Sequence, residues 1–320
     1  MKTTDVAALG ELLIDFSGEG NGAQGNPLFE ANPGGAPCNV LAMLAKLGRK
    51  TAFIGKVGAD PLGRMLKKTA AALGIDTACL YEDPEVPTTL AFVHNAPDGE
   101  RSFSFYRNPG ADVMLRSEEV REDVIAGARI FHYGTLSMTH PGVREATERA
   151  VALAEKHGLL RSFDPNFRFA LWRDEKKLYE SAAFGLAHCD ILKIADDELC
   201  RFTNTEDPDR AVGMLRERYP IRLITVTMGR GGSTAYCRGG RVHVPAFPTV
   251  GTVDTTGAGD TFCACVLNGI LESGMQNLSE ETLRGILRFA NAAAAIVTTR
   301  KGALTVMPSR EEILRLMEKS

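Results

Sequence analysis

The residues best suited to catalysis form the stretch Val253-Asp254-Thr255-Thr256-Gly257-Ala258-Gly259-Asp260-Thr261-Phe262, which an apolar helical pattern follows at residues 263–271. Glycines before a helix let backbone N–H groups approach an anion, and the helix N-terminus adds positive potential, so this stretch predicts a cradle for an oxyanion or a phosphate. Asp260 falls in the first helical turn, where the helix dipole favours the ionised form that a general base requires. A helix cap is the commoner role for such an Asp, but the density of glycines favours catalysis.

Other phosphate-binding signatures are misplaced or missing in the sequence. Gly20-Asn21-Gly22-Ala23-Gln24-Gly25 matches G-x-G-x-x-G, but no helical pattern follows it, as a dinucleotide-binding fingerprint requires. Neither a G-x-x-x-x-G-K-[ST] sequence nor the HRD and DFG motifs of protein kinases occur. A phosphate-transferring protein with this sequence must therefore hold phosphate by another device.

Four polar residues elsewhere are candidates for substrate binding. Asp15, after the first strand-like run, can accept hydrogen bonds from hydroxyl groups, and Asn39 can both donate and accept. Arg107 and Arg168 offer planar guanidinium groups suited to phosphate or to a polar end of a substrate. Each has a plain alternative: a solvated strand-end carboxylate for Asp15, a polar residue near a helix start for Asn39, and a surface arginine for each of the other two.

Short apolar runs of strand length alternate with helical patterns along most of the chain. The runs lie at residues 6–10, 51–57, 128–133, 160–163, 191–194 and 222–227, and the helical patterns at 37–47, 63–73, 143–156, 211–219 and 281–298. This alternation predicts βαβ units, a mostly parallel sheet and helices on both of its faces. No repeat or linker divides the chain, so we expect one domain over residues 1–320.

Residues 12–33 and 88–107 interrupt the alternation. Residues 88–95 and 102–106 flank the turn Ala96-Pro97-Asp98-Gly99 in the manner of a β-hairpin. A hairpin inserted into an α/β chain often serves as a lid over the active site, although a surface hairpin without such a role is almost as common.

Composition excludes several classes of function. With 320 residues, 44% hydrophobic residues and a net charge of −3, the chain resembles an ordinary globular protein and lacks the basic surface that nucleic-acid binding requires. No signal peptide or membrane-spanning run is evident, so we expect a cytoplasmic protein without membrane or nucleic-acid partners. The 7 cysteines are scattered without zinc-ligand spacing, which predicts reduced thiols.

The motifs together resemble the ribokinase-like, or PfkB, family of carbohydrate kinases. The stretch from Asp254 to Asp260 matches the family's C-terminal signature, and Asn32-Pro33-Gly34-Gly35-Ala36-Pro37-Cys38-Asn39-Val40 looks like its N-terminal signature. The resemblance extends from about residue 5 to residue 315. It implies a ribokinase-like three-layer α/β/α sandwich with a mostly parallel central sheet and a small β-sheet lid, formed by about residues 12–33 and 88–107.

The resemblance also assigns roles to residues. In the family, the last Asp of the C-terminal signature is the catalytic base and the backbone before it forms an anion hole; the matching residues here are Asp260, Gly257, Ala258 and Gly259. The residues implied in substrate binding are Asp15, Gly34, Gly35, Asn39, Arg107 and Arg168.

Three segments are similar to fructokinases in particular. They are the Gly-Gly-Ala-Pro-x-Asn form of the N-terminal motif, the run from Asp98 to Arg107, and Phe163-Asp164-Pro165-Asn166-Phe167-Arg168 with Leu171-Trp172 after it. They favour a ketohexose over a nucleoside as the phosphate acceptor, and D-fructose with fructose 6-phosphate as product is the reaction implied. Kinases of 2-keto-3-deoxygluconate share much of the pattern, so such a kinase is one alternative function. A kinase of ribose is a second alternative, and a non-catalytic sugar-binding sensor on the same fold is a third.

The resemblance implies ATP and Mg²⁺ as cofactors. Thr227, Gly229 and Gly232 match the family's T-x-G-x-x-G phosphate loop, and Asn291, with residues 292–295, falls on a helix that lies beside the adenine in relatives. The glycines could equally mark a plain turn, and the alanines tight helix packing.

Two ion sites are suggested in the same way. The family's Asn-x-x-Glu magnesium motif aligns with residues 193–198, where Lys193 replaces Asn and Asp196 replaces Glu, so Asp196 and Glu198 are candidates to meet Mg²⁺ through water. Asp254, Thr256 and Gly302 match a potassium site of relatives, although Val306 stands where a hydroxyl ligand can occur. An exposed strand edge of the lid can pair with another copy, so a homodimer is expected.

Overall fold

The computed structural model describes residues 2–95, 101–248 and 251–319. Its strands are β1 (Thr4–Leu9), β2 (Leu13–Asn21), β3 (Pro27–Gly34), β4 (Thr51–Gly58), β5 (Ile75–Asp83), β6 (Leu90–Asn95), β7 (Arg101–Tyr106), β8 (Ala128–Gly134), β9 (Leu160–Asp164), β10 (Ile191–Ala195), β11 (Leu223–Thr227), β12 (Ser233–Cys237) and β13 (Gly240–Val244). They form two sheets. The turn predicted at residues 96–99 lies outside the described residues.

The larger sheet has nine strands in the order β13-β12-β11-β10-β9-β8-β1-β4-β5. Every pair from β11 to β5 is parallel, while β12 and β13 add an antiparallel hairpin at one side. Because the parallel strands all end at the same edge, residues that follow β9, β10 and β11 come together there, at the edge where α/β proteins bind ligands.

Helices cover both faces of this sheet. They are α1 (Ala36–Lys46), α2 (Pro61–Ala72), α3 (Glu122–Ala126), α4 (Pro141–Lys156), α5 (Glu175–Ala187), α6 (Asp196–Thr203), α7 (Pro208–Arg218), α8 (Ala258–Ser273), α9 (Glu280–Val297) and α10 (Arg310–Glu318). One core contains α1, α2, α8, α9 and α10, with Leu41 and Phe262 at its centre, and the other contains α4, α6 and α7, with Phe131 and Leu199. This arrangement confirms the predicted three-layer α/β/α fold.

The second sheet has four strands in the order β3-β2-β6-β7 and comes from the two stretches that broke the βαβ pattern. Side chains of a strand alternate between faces, so Asp15 and Phe16 of β2 point to opposite sides. Phe16 stacks on Phe92 with ring centroids 5.0 Å apart, and Phe29 and Tyr106 each contact Phe92 edge-on at 5.4 Å. The face opposite to Asp15 is therefore an aromatic surface.

Most of the predicted elements are confirmed, and those missed have weak patterns. β5 is an edge strand whose buried and exposed residues do not alternate regularly, and α10 has a single fully buried residue, Ile313. Short or irregular apolar patterns of this kind do not distinguish such elements from loops. No helix within the described residues is long and apolar enough to cross a membrane.

Candidate active site

Asp260 occupies the third residue of α8, with Gly257 as the N-cap in a left-handed conformation at φ 77°. The interpretation of Asp260 as a helix cap is therefore wrong. Its carboxylate instead accepts a hydrogen bond at 2.8 Å from Nδ2 of Asn39, because α1 packs against α8. The two sequence signatures, more than 200 residues apart, thus meet at one hydrogen bond.

Burial dominates the electrostatics of Asp260. The carboxylate is 9% exposed, and burial raises the pKa of Asp260 to about 6, against lowering contributions from the Asn39 hydrogen bond and from the charges of Lys193 and Arg168. The helix N-terminus favours the ionised form of this group, but desolvation is the larger effect. A carboxylate with a pKa of about 6 is still mostly ionised at neutral pH, and it is a stronger base than an ordinary Asp.

Asp15 and Arg168 lie within electrostatic range of Asp260. Burial raises the pKa of Asp15 to about 7, Arg168 opposes this shift, and the charges of Asp254 and Asp260 add to it. Arg168 itself is exposed, in the loop after β9, and its charge also acts on Asp260. These three residues, predicted from separate segments, are therefore close enough for their charges to act on one another, and Asp15 lines a smaller cavity, the Asp15 cleft, with Asp254 and Thr256.

Gly34 and Gly35 form the turn between β3 and α1. A Cβ atom on Gly34 would lie 2.3 Å from Oδ2 of Asp15, and one on Gly35, at φ 136°, would lie 2.3 Å from the carbonyl oxygen of Glu11. Only glycine fits this close approach, which brings the turn directly against the Asp15 carboxylate.

Glu11 is a buried residue that the sequence interpretation missed. It is 3% exposed, and its Oε1 accepts a hydrogen bond at 2.7 Å from the backbone N–H of Ala36, the first residue of α1. Burial raises the pKa of Glu11 to about 7. Its carboxylate holds the start of the helix that carries Asn39. The sequence signal for this role was an acidic residue within the apolar connection between β1 and β2.

Arg107, predicted to bind substrate, is placed in a buried network instead of facing the Asp260 carboxylate. Its Nε and Nη2 donate to Oδ2 of Asp112 at 2.8 and 2.6 Å, and Nη1 donates to Oγ1 of Thr139 at 2.9 Å. It is 5% exposed and borders a separate cavity that also contains Trp172. The guanidinium donors are thus largely used by protein acceptors.

The residues predicted to bind nucleotide line one cavity of about 730 Å³. Its walls include Thr227, Gly229, Gly232, Phe247, Pro248, Ala258, Gly259, Asn291, Ala294, Ala295 and Thr298. Ala258 and Gly259 also belong to the turn that precedes Asp260, and Asp254 and Thr256, just before them, line the Asp15 cleft, so one segment borders both cavities. Ala292 and Ala293, by contrast, are fully buried in the core and support the packing alternative for that part of α9.

Asn291 builds the wall of this cavity. Its Oδ1 accepts from Oγ of Ser233 at 2.8 Å, and its Nδ2 donates to the carbonyl oxygens of Val244 and Pro245 at 3.0 and 3.1 Å. The side chain therefore ties α9 to the end of the β12–β13 hairpin.

Candidate ion-binding residues lie at two places. Oε1 and Oε2 of Glu198 accept the N–H groups of Phe167 and Ala195 at 2.5 and 3.1 Å, while Asp196 begins α6 and is partly exposed. Asp254 accepts the N–H groups of Thr256 at 2.8 Å and of Gly302 at 3.1 Å, so those three residues are brought together. Within the described ranges, no group of three or more His, Cys, Asp or Glu side chains is arranged to hold a metal ion.

The geometry offers a base, a helix N-terminus, a polar cleft lined by Asp15 and a large cavity beside the same segment. The first N–H groups of a helix have no partners within it, although that of Ala258 donates weakly to the Thr255 carbonyl at 3.3 Å. A molecule bound in the large cavity can thus place an anionic group at this turn, close to a hydroxyl group of a second molecule bound in the Asp15 cleft. This arrangement is suited to transfer of an anionic group to an alcohol.

Comparisons with known proteins agree with this chemistry. Residues 3–310 match the model of the pfkB family of carbohydrate kinases. Fructokinase-1 of Zea mays is 39% identical over 317 residues, covering 98% of this chain and 98% of that protein. A crystal structure of fructokinase from Xylella fastidiosa with bound ATP matches with a TM-score of 0.90 at 33% identity, covering 100% of this chain and 99% of that chain.

A second solved structure carries a sugar. Fructokinase from Vibrio cholerae O395, in a form with fructose, ADP and calcium ion bound, matches with a TM-score of 0.88 at 28% identity, covering 99% of this chain and 100% of that chain. The ribokinase-like fold and the resemblance to fructokinases are both confirmed. The chain belongs to the pfkB family of carbohydrate kinases and is a sugar phosphotransferase.

Proposed function

We propose that this protein transfers the γ-phosphoryl group of ATP to D-fructose and forms fructose 6-phosphate, with Asp260 as the general base. The observation that carries the proposal is the position of Asp260, hydrogen-bonded to Asn39, at the end of a segment that lines the large cavity through Ala258 and Gly259 and the Asp15 cleft through Asp254 and Thr256. A non-catalytic sensor would not need a buried carboxylate with a pKa of about 6 at that place.

The reaction balances with these residues. The acceptor hydroxyl gives its proton to Asp260 as its oxygen forms a bond to the γ-phosphorus, the bond between that phosphorus and the bridging oxygen breaks, and ADP leaves. The N–H groups of Gly257 and Gly259 are the donors we assign to the transferred group, with that of Ala258 available once its 3.3 Å contact to Thr255 opens.

The sugar is held, in this proposal, by Asp15, the Gly34–Gly35 turn, Asn39 and Arg168. Asn39 Oδ1 is buried and has no hydrogen-bond partner within the described part of the chain, so a sugar hydroxyl can donate to it. Fructose is favoured over other acceptors by the names of the relatives at up to 39% identity and by the fructose-bound Vibrio cholerae structure. Arg107 is not assigned a contact with the sugar, because its guanidinium group is paired with Asp112 in a buried network.

ATP is assigned to the cavity of about 730 Å³, which suits a nucleotide in size and contains both glycines of the T-x-G-x-x-G loop. Mg²⁺ fits this site as an ion that keeps water ligands and binds substrate phosphates, since the described residues provide no cage of three carboxylates. Asp196 and Glu198 are the side chains we propose to meet its water ligands. When bound, the ion neutralises charge on the β- and γ-phosphates.

A potassium site is proposed at Asp254, Thr256 and Gly302, which the structure brings together beside the Asp260 turn. We further propose that the second sheet is a lid on a single kinase domain over residues 1–320. Its outer aromatic face, with Phe29 47% and Tyr106 65% exposed, would then join two copies into a homodimer.

The decisive experiment is a coupled assay of ADP release with the purified protein, ATP and Mg²⁺ over a panel of fructose, 2-keto-3-deoxygluconate, ribose and a nucleoside. Highest kcat/KM with fructose supports the proposal. Highest kcat/KM with another panel member assigns the enzyme to that acceptor, and ADP release with none of them supports a sensor. Addition of KCl, compared with tetramethylammonium chloride, tests the potassium site in the same assay.

A further inference from the structure

Lys193 is a charged residue in the middle of a central strand. It lies on β10 between Leu192 and Ile194, pairs with Thr225 of β11, and is 7% exposed. Lysine is almost never buried in this way without a partner, because removing an ammonium group from water is costly. Its presence there requires an explanation.

Two contacts define the position of the Lys193 ammonium group. Nζ forms an ion pair with Oδ2 of Asp164 at 3.0 Å, at the carboxyl end of β9. On the other side, a Cβ atom placed on Gly259 would lie 2.9 Å from Nζ. The ammonium group therefore reaches the turn that carries the proposed anion hole, and the lack of a side chain at Gly259 makes the room for it.

A purely structural role explains this arrangement poorly. A buried ion pair adds little stability compared with well-packed apolar residues, because desolvation of both charges offsets their attraction. A second buried lysine of the central sheet, Lys56 on β4, pairs with Glu119 at 2.7 Å and lies far from the turn in the structure, on the opposite half of the sheet. Lys193 differs from it in touching the segment where negative charge would develop.

The charges around Asp260 come from every side of the site. Asn39 bonds to it from α1, Asp164 acts from β9, Arg168 from the loop after β9 and Lys193 from β10. Burial acts to lower the pKa of Lys193, but Asp164 and then Glu198 hold it above its usual value, so the side chain stays charged and exchanges no proton at neutral pH.

We propose that Lys193, fixed by Asp164, is a positioning residue for phosphoryl transfer: its ammonium group supports the Gly257–Gly259 turn and supplies a permanent positive charge beneath the transferred phosphoryl group. The inference rests on the proposed kinase function. It assigns a role to Lys193, which in the sequence was recognised only as a replacement for the Asn of the family's magnesium motif.

The test compares three variants with the wild type. Lys193→Met removes the charge but leaves Asp164 buried without a partner, so the double variant Lys193→Met/Asp164→Asn, which removes both charges, guards against simple unfolding. Lys56→Met is the matched control, because it removes a buried, paired lysine from the same sheet. Steady-state kinetics with fructose and ATP, and thermal unfolding, are measured for each.

We expect the double variant to lose kcat by about 10²-fold, as for other fixed donors at a developing anion, with the KM for fructose changed by less than about 3-fold. We expect Lys56→Met to lower the melting temperature while kcat stays within about 2-fold of the wild type. The proposal is overturned if the double variant keeps kcat within about 3-fold of the wild type, or if Lys56→Met loses kcat to the same extent.

A binding measurement separates this proposal from the proposed sugar specificity. ADP with Mg²⁺ and aluminium fluoride mimics the transferred phosphoryl group without any acceptor turnover. If the wild type releases ADP with no sugar of the panel, the kinase proposal fails by itself, and calorimetric titration with this complex still tests Lys193. Tighter binding of the complex by the wild type than by the double variant supports the role of Lys193, and equal binding overturns it.

Discussion

The turn at the start of α8 and the outer end of the second sheet are held in opposite ways. Around the turn, Asp260, Asn39 and Lys193 are each less than 10% exposed and fixed by buried hydrogen bonds or ion pairs. The second sheet is tied to the C-terminal segment by an exposed pair, Lys301 with Glu19, at 2.6 Å. Buried contacts hold a single geometry, whereas exposed ones exchange readily with water.

The difference indicates that the two regions have different functions, catalysis for the turn and substrate access for the sheet. Groups that must be placed accurately for chemistry belong to the packed core, where rotamers are fixed. In its proposed role as a lid, the second sheet must open for sugar and product to pass, and weak attachment is suited to that role. Changes at the turn should therefore act on kcat, and changes at the second sheet on substrate affinity or assembly.

Replacement of the base should give the largest effect. Asp260→Asn keeps the shape and can still pair with Asn39, but it removes the proton acceptor, so we expect kcat to fall by roughly 10²–10⁴-fold with little change in melting temperature. Affinity for the sugar should change much less, since an amide can still bond to the hydroxyl. Steady-state kinetics and thermal unfolding measure this. Near-normal turnover would eliminate Asp260 as the base, and equal losses of activity and stability would make it a structural residue.

Loss of the exposed arginine should be the next largest effect. Arg168→Ala removes a charge that acts on both Asp15 and Asp260 without opening a core cavity, so turnover should fall by roughly 10–10²-fold, as for a lost contact with a charged group. The neighbouring exposed Arg173, which borders the separate cavity, provides the matched control, and Arg173→Ala should stay within about 2-fold. Unchanged kinetics of Arg168→Ala would refute its assignment to the cleft.

The sequence predicted the fold and the turn far better than the interior of the site. Asp260, Asn39 and Gly35 carry local signals, because glycines before a helix and a Gly-Gly entry to a helix leave a trace in the adjacent residues. Lys193 and Glu11 carry only the weak signal of a charged residue within an apolar run, since their roles depend on which segments pack beside them. Arg107 shows the converse: its type suggested anion binding, but Asp112, five residues away in sequence, takes up its charge. The pKa of Asp260 also depends on its burial, which the position of the residue at a helix N-terminus does not reveal.

The pH dependence should distinguish the two regions. Burial raises the pKa of Asp260 to about 6 and that of Asp15 to about 7, so both carboxylates gain protons as the pH falls. If both must be ionised, log kcat/KM for the sugar should fall with a slope of about 1 between pH 7 and 6, and about 2 below pH 6. Asp15→Asn should remove the upper inflection and leave the lower one. A profile of the variant that keeps both inflections would contradict this assignment.

The aromatic face of the second sheet should determine assembly and not chemistry. Phe29→Ser/Tyr106→Ser removes two exposed rings, so the proposed dimer should dissociate into monomers in sedimentation velocity experiments, while kcat changes by less than about 5-fold. Met214→Ser, at an apolar position on α7 that is 42% exposed, is the control and should leave the dimer intact. A wild type that is monomeric at all concentrations would remove the interface.

The smallest effect is expected at the attachment of the second sheet. Lys301 donates to both carboxylate oxygens of Glu19, at 2.6 and 2.7 Å, and this exposed contact joins β2 to the loop that also carries Gly302. Glu19→Gln keeps the shape and one acceptor but loses the charge, so the closed position should be slightly less populated. Because exposed ion pairs contribute little and are screened by salt, we expect the KM for the sugar to rise by less than about 3-fold, with kcat unchanged. The difference between variant and wild type should vanish in about 1 M salt. Steady-state assays of both proteins at low and at high ionic strength measure this. A fall in kcat that persists in high salt would show that the second sheet takes part in the chemistry, and the separation between the buried turn and the exposed cover would then be wrong.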